Sequence, residues 1–213
     1  MNEPIRQLII FTRYPEPGKT KTRLIPYLGE KGASNLQRRM TQATLQMIEP
    51  LMNSGFLSLK IHFTGGSIDL MNDWLGTNLS YQNQYGEGLG DRLKFAFLLA
   101  FRDGMTQVVI IGTDCPELNE SLIRQAFESL LEYDLVLGPA QDGGYYLIGL
   151  KQIYPELLRE IAWGTDTVLA KTLLIAQNLQ LKTFLLPSLQ DIDRLEDLQL
   201  ITHLWDIDEI IAQ

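Results

Sequence analysis

The 213-residue chain has one cysteine, Cys115, and two histidines, His62 and His203. One thiol excludes an internal disulfide framework and a cysteine-only zinc site. The histidines stand at no metal-ligand spacing, and neither has a sequence context linking it to Cys115, which therefore reads as a packed thiol. No apolar run approaches the roughly 20 residues that a membrane helix needs. The start, Met1-Asn2-Glu3-Pro4-Ile5-Arg6, lacks a signal-peptide layout, because the apolar stretch behind it is only strand-length. These absences predict a cytoplasmic protein with no membrane partner. Positive charge is scarce as well. A net charge of -8 argues against binding nucleic acid through a broad basic face.

What charge there is lies unevenly. Residues 1–39 carry a net +5, and the remaining 174 carry -13. The cations concentrate after Leu8-Ile9-Ile10-Phe11, a run that predicts a buried strand. Beyond Thr12 the chain reads Arg13-Tyr14-Pro15-Glu16-Pro17-Gly18, and two prolines and a glycine cannot continue a strand ladder. The loop then carries Lys19, Lys21 and Arg23, opposed only by Glu16. Open α/β folds bind phosphorylated ligands in loops at the carboxyl ends of buried strands. The stretch Arg13 to Arg23, with Pro17, Gly18, Lys19 and Lys21, is therefore expected to hold the phosphates of a nucleotide.

The length suits one domain with a substantial core, and neither repeats nor linkers divide it. Helices are predicted over 29–55, 68–75, 91–102, 119–132 and 165–178. Strands are predicted over 57–64, 79–84, 107–112, 134–138, 145–150 and, as the last buried one, 182–186. Val108-Val109-Ile110-Ile111 is the clearest strand. Asn119 is placed to cap the helix after it. Strands alternating with helices imply a three-layer α/β/α fold around a mainly parallel sheet. The hairpin-like 134–150 makes that sheet mixed.

Two familiar phosphate loops fail on spacing. Gly18-Lys19-Thr20 ends like a Walker A loop, but Arg13 stands where its first glycine belongs. Gly86, Gly88 and Gly90 form Gly-x-Gly-x-Gly, not the dinucleotide fingerprint. Cationic side chains remain as the means of holding phosphate, Arg by a planar fork and Lys by a point charge.

Asp114 directly follows the clearest strand. It reads either as a ligand for Mg²⁺, which shares phosphate oxygens with one or two carboxylates, or as a local turn or cap. Asp191 and Asp193 follow the last predicted strand. They read either as carboxylates sharing one side of an extended segment or as the start of a capped helix at Asp193-Arg194-Leu195-Glu196. Asp142 before Gly143-Gly144 marks a tight turn. It is also a candidate base for an acceptor hydroxyl, with the glycines allowing a substrate close to the backbone. Trp163-Gly164-Thr165-Asp166 reads as a helix start with Trp163 free to line a pocket.

In order, Pro15-x-Pro17-Gly18-x-x-Lys21-Thr22-Arg23-Leu24, Gly88-Leu89-Gly90-x-Arg92, Gly112-x-Asp114-Cys115-Pro116, Asp142-Gly143-Gly144-Tyr145-Tyr146-Leu147-Ile148-Gly149-Leu150, Trp163-Gly164-Thr165-Asp166 and Asp191-x-Asp193 resemble the radical-SAM/selenodomain-associated transferase family. The resemblance covers nearly the whole chain. It implies a single GT-A-like domain over residues 1–213, of the nucleotide-diphospho-sugar transferase superfamily, related to phospholactate and molybdenum cofactor guanylyltransferases. By position it implies that Lys21 and Arg23 meet nucleotide phosphates. Gly88, Leu89, Gly90 and Arg92 would belong to the nucleotide site near base or ribose. Asp114, Asp191 and Asp193 would hold Mg²⁺ or Mn²⁺. The usual GT-A Asp-x-Asp is here Asp114-Cys115-Pro116, a single-aspartate form that resembles the nucleotidyltransferase branch.

Three activities follow as expectations. The first is glycosyl transfer from a nucleotide-sugar donor to a small acceptor, with Lys21 and Arg23 stabilising the departing diphosphate and Asp142 as base. The second is nucleotidyl transfer from a nucleoside triphosphate to a phosphorylated acceptor. The third is nucleotide sensing without catalysis.

Overall fold

Seven strands form one sheet in the order β3-β2-β1-β4-β6-β5-β7 in a computed structural model that describes residues 4–202 and 204–212. Met1–Glu3, His203 and Gln213 lie outside the described residues. The strands are β1 (Arg6–Arg13), β2 (Ser58–Thr64), β3 (Tyr81–Asn83), β4 (Gln107–Ile111), β5 (Leu135–Pro139), β6 (Tyr145–Leu150) and β7 (Thr183–Leu185). β6 is antiparallel to β4 and β5, and every other pairing is parallel. The mixed, mainly parallel sheet expected from the sequence is the one observed.

Alternation along the central strands builds the layers. Leu8, Ile10, Val109 and Ile111 face a core shared with Ile48 and Leu51 of α1 (Ile25–Asn53) and with Ile123 and Phe127 of α4 (Glu120–Ser129). Ile9, Val108 and Ile110 face the opposite core. There they meet Leu93 and Phe97 of α3 (Leu89–Arg102) and Ala176 of α5 (Val168–Asn178). Each buried Val, Leu, Ile or Phe here contributes about 1.5–3 kcal/mol, so alternate residues of the central strands fix a helical layer on each face. α2 (Ile68–Leu75) covers β2 and β3 through Met71, and α6 (Ile207–Ala212) packs Ile210 near Leu36 and Met40. No helix among the described residues is long and apolar enough to cross a membrane.

Three local differences from the sequence reading have physical causes. α1 begins before Gly29, because Pro26 suits a first helical turn; Gly29, at φ 69°, ψ 170°, then interrupts it. α5 begins after Thr165, whose hydroxyl turns back to Ala162 O at 2.7 Å and so caps nothing. β7 is a three-residue edge strand paired only with β5, and Leu185 is 46% exposed. Asn119 caps α4 as expected, accepting from Leu122 N at 3.1 Å.

The β1–β4 ladder ends at Ile10 and Ile111, whereas β1 stays paired with β2 as far as Arg13 and Thr64. A crevice therefore opens between β1 and β4 where the connections leave in opposite directions. That is the position at which open α/β sheets bind ligands.

Candidate active site

The cationic loop leaves β1 into this crevice. Lys21 adopts a left-handed conformation, φ 47°, ψ 44°, which costs a non-glycine residue on the order of 1 kcal/mol. The side chain that this bend directs inward is only 5% exposed. Its Nζ lies 2.9 Å from Asp114 Oδ1 and also donates to Ile192 O. Arg23 Nη1 pairs with Asp193 Oδ2, and hydrogen bonding and then attraction to Asp193 raise the Arg23 pKa. Lys19 turns instead to Glu16, at 2.7 Å.

The carboxylates converge because their backbones are joined. Ile192 N donates to Asp114 O at 2.8 Å, and Gln141 N to Leu189 O at 3.0 Å, so residues 189–193 bridge the ends of β4 and β5. Burial, then the charges of Asp142, Asp114 and Asp193, push the Asp191 carboxyl up from its ordinary value. Asp193 is not the cap of the following turn. Asp197 accepts from Asp193 N at 3.0 Å and Arg194 N at 2.7 Å, which leaves the Asp193 carboxylate to Arg23. Among the described residues, no three histidine, cysteine or carboxylate side chains form a ready metal cage.

Three connected clefts run along this edge. The first, about 470 Å³, is lined by Arg13, Lys19, Lys21 and Arg23, with Asp114 and Asp193 opposite. The second, about 280 Å³, joins Asp114 and Asp191 to Leu89, Tyr145 and Trp163. The third, about 510 Å³, holds Asp142, Asp166, Asp191, Asp193 and Asp197 against Arg23 and Arg194. Asp142 is held by its own turn, with Oδ1 accepting from Gly144 N at 2.8 Å.

The glycine motifs divide by position. Gly88 caps α3 beside open space, and Leu89 lines the first two clefts. Gly90 is buried where a Cβ would collide with Leu158 O and the Trp163 indole. Arg92 donates to Gly86 O at 3.1 Å. Gly88, Gly90 and Arg92 line none of these three clefts, nor do Pro17 and Gly18. Gly143, at φ +89°, gives the close approach expected of it to the chain itself, since a Cβ there would strike the Asp166 backbone. Cys115 is a packed thiol whose pKa is pushed up by burial and then by Asp114. His62 is buried, stacks on Phe11 at 5.7 Å between centroids, and is held neutral by burial and then by Lys60, with its pKa lowered to about 4.

Several cleft residues escape a reading of the sequence. Gln37 and Gln84 line the first cleft, and Gln190 and Asp197 line the third beside Asp166, which the sequence marks only as part of a helix start. Thr12 and Thr113 offered the one available signal: each is a polar residue close behind an apolar strand run, Thr12 directly after it and Thr113 one glycine later.

The chain matches the family described as "Uncharacterized protein conserved in bacteria (DUF2064)" over residues 44–165. It belongs to that family. The DUF2064 chain is 32% identical to a protein of Desulfovibrio desulfuricans G20 provisionally assigned as a nucleotide-diphospho-sugar transferase; the match covers 98% of this chain and 97% of that one, with a TM-score of 0.85. The inositol-1-phosphate CTP transferase of T. maritima is 15% identical, with a TM-score of 0.57 over 100% and 97% of the two chains. Glucosyl-3-phosphoglycerate synthase of Mycobacterium tuberculosis, solved with Mn²⁺, UDP and glucosyl-3-phosphoglycerate, is 12% identical, with a TM-score of 0.57 over 98% and 78%. The last two share the fold alone. Comparison with curated proteins gives no match. The GT-A-like fold and the enzyme class, transferase, agree with the expectations from sequence.

Proposed function

We propose that this chain is a single-domain, divalent-metal-dependent glycosyltransferase that moves a sugar from a nucleotide-diphospho-sugar to a hydroxyl group of a small acceptor in the cytoplasm. The motif order supports grouping it with the radical-SAM/selenodomain-associated transferases. The observation that carries the reading is Lys21, a buried ammonium held at 2.9 Å from Asp114 in the crevice between β1 and β4. Lys21 and Arg23 face the diphosphate and stabilise it as it departs. Arg13 and Lys19 add positive charge at the mouth, while Pro17 and Gly18 shape the loop. Gly88 and Leu89 border the nucleoside, with Gly90 and Arg92 holding the α3 start in place behind them.

The all-oxygen set of Asp114, Asp191 and Asp193 suits Mg²⁺ or Mn²⁺, which bind through one or two carboxylates and substrate phosphates and need no full protein cage. Such an ion supplies charge neutralisation at the diphosphate. Asp142 is the acceptor base. Its Oδ1 is engaged by Gly144 N, so Oδ2 takes the hydroxyl proton as the acceptor oxygen bonds to the sugar and the sugar–diphosphate bond breaks. The third cleft, with five carboxylates against two guanidinium groups, disfavours a phosphorylated acceptor and suits a polyhydroxyl one.

The single aspartate of Asp114-Cys115-Pro116 favours a second reading, nucleotidyl transfer. Incubation with Mg²⁺ or Mn²⁺, a panel of UDP-, GDP- and ADP-sugars and polyol acceptors is expected to release nucleoside diphosphate. Pyrophosphate released from nucleoside triphosphates would instead establish the second reading. Binding without turnover of any donor would leave a nucleotide sensor.

A further inference from the structure

Gln37 stands on α1 with 6% of its surface exposed, behind the first cleft, which it lines. Its Nε2 lies 3.3 Å from Thr12 Oγ1, 3.2 Å from Thr41 Oγ1 and 3.1 Å from Thr113 Oγ1. Thr12 and Thr41 share a further hydrogen bond of 2.9 Å. All four side chains are buried.

The two strand-end threonines give this network its meaning. Thr12 immediately precedes Arg13, where the cationic loop starts, and Thr113 immediately precedes Asp114. The β1–β4 ladder has already ended at Ile10 and Ile111. Past that point no backbone hydrogen bond ties the two strands, and the gap between them becomes the crevice. Gln37 spans the gap with side-chain hydrogen bonds where the ladder stops. Buried polar groups of this kind are costly unless satisfied, and satisfied networks fix one arrangement.

We propose that Gln37 is a positioning residue that sets the width of the crevice and thereby couples the phosphate loop to Asp114. The proposal rests on the reading of that crevice as a nucleotide–metal site. A group at Asp114 and a phosphate on Lys21 can share an ion only if the two strand ends keep one spacing. Loss of the bridge therefore weakens the linkage between metal and nucleotide more than it weakens either alone.

The test is calorimetric titration of UDP, GDP, ADP and CDP into the full chain, with and without MgCl₂, alongside thermal melting. The gain in affinity brought by Mg²⁺ is the readout. Gln37→Leu and Thr113→Val are each expected to reduce that gain about tenfold, within the range usual for coupled sites. Thr113→Ser, which keeps the hydroxyl, is expected to preserve it. Leu36→Val is the stability control; it loosens the same helix from the Leu24–Met40 core and is expected to lower Tm while leaving the Mg²⁺ gain intact. If Gln37→Leu fails to fold, the two Thr113 variants decide. A fall in Tm with an unchanged Mg²⁺ gain in Gln37→Leu or Thr113→Val overturns the proposal but leaves the site reading standing. Wild-type protein that binds none of the four nucleotides overturns both.

Discussion

The two ends of the cleft are built from opposite charge, and the two cations at their boundary differ sharply in burial. At the β1 end, four cations face two carboxylates. At the β5–β6 end, five carboxylates face two guanidinium groups. The boundary is made of cross-pairs, Lys21 with Asp114 and Arg23 with Asp193. Within that boundary the Lys21 side chain is 5% exposed and the Arg23 side chain 64%. The difference separates a charge that the fold must hold in place from one that is free to follow a ligand. An ammonium out of water depends on its partners, whereas an exposed guanidinium is solvated whether or not it is paired.

Substitution at Lys21 tests this comparison most severely. Lys21→Ala is expected to cut turnover by about 10²–10³-fold, the usual loss when one electrostatic stabiliser of a departing anion is removed. Lys21→Arg should not restore it, because the pocket holds a compact point charge between Asp114 and Ile192 O. Steady-state kinetics on both variants check this, and a fully active Lys21→Ala would remove the distinction between the two ends.

Asp142 probes the acidic end alone. Asp142→Asn is expected to lower turnover by roughly 10²-fold, in keeping with loss of a general base, while nucleotide affinity stays at the wild-type value. Loss of nucleotide binding in this variant would mean that the acidic end also holds the donor.

The smallest effect belongs to Arg23 and Asp193. Their pair is mostly exposed, so Arg23→Ala should change unfolding free energy by less than about 1 kcal/mol. A double-mutant cycle with Asp193→Ala, read by chemical denaturation, measures the coupling. A coupling of several kcal/mol would make the exposed pair as structural as the buried one.

The sequence carried the frame of this site further than its details, and the reason is range. β4 was legible from Val108-Val109-Ile110-Ile111, and the α4 start from Asn119, because each signal lies within a few residues. Asp114 followed from its place after that strand. That Lys21 would lie against Asp114 was not visible, since the contact depends on the crossover that brings β1 beside β4. Gln37 was hidden more completely. On a helix it looks like any polar residue of a 3.6-residue pattern, and its acceptors Thr12 and Thr113 lie 25 and 76 residues away. Asp197 likewise gained its role, capping the turn that frees Asp193, only from the folded path of the backbone.

The reversed direction of β6 has a consequence for how such a site can vary. A parallel β6 would need a crossover of a dozen or more residues to return the chain from the end of β5, and the stretch now at the cleft would be spread over the far side of the sheet. Because β6 runs antiparallel, residues 140–144 alone turn the chain, and they do so at the cleft rim with Asp142 among them. The turn is also held from outside: Leu169 N of α5 donates to Gly143 O at 2.9 Å and Gln141 N to Leu189 O at 3.0 Å. A change of length at this rim would thus have to be matched by the start of α5 and by residues 189–193, just as the cationic end is tied into two strands and α1.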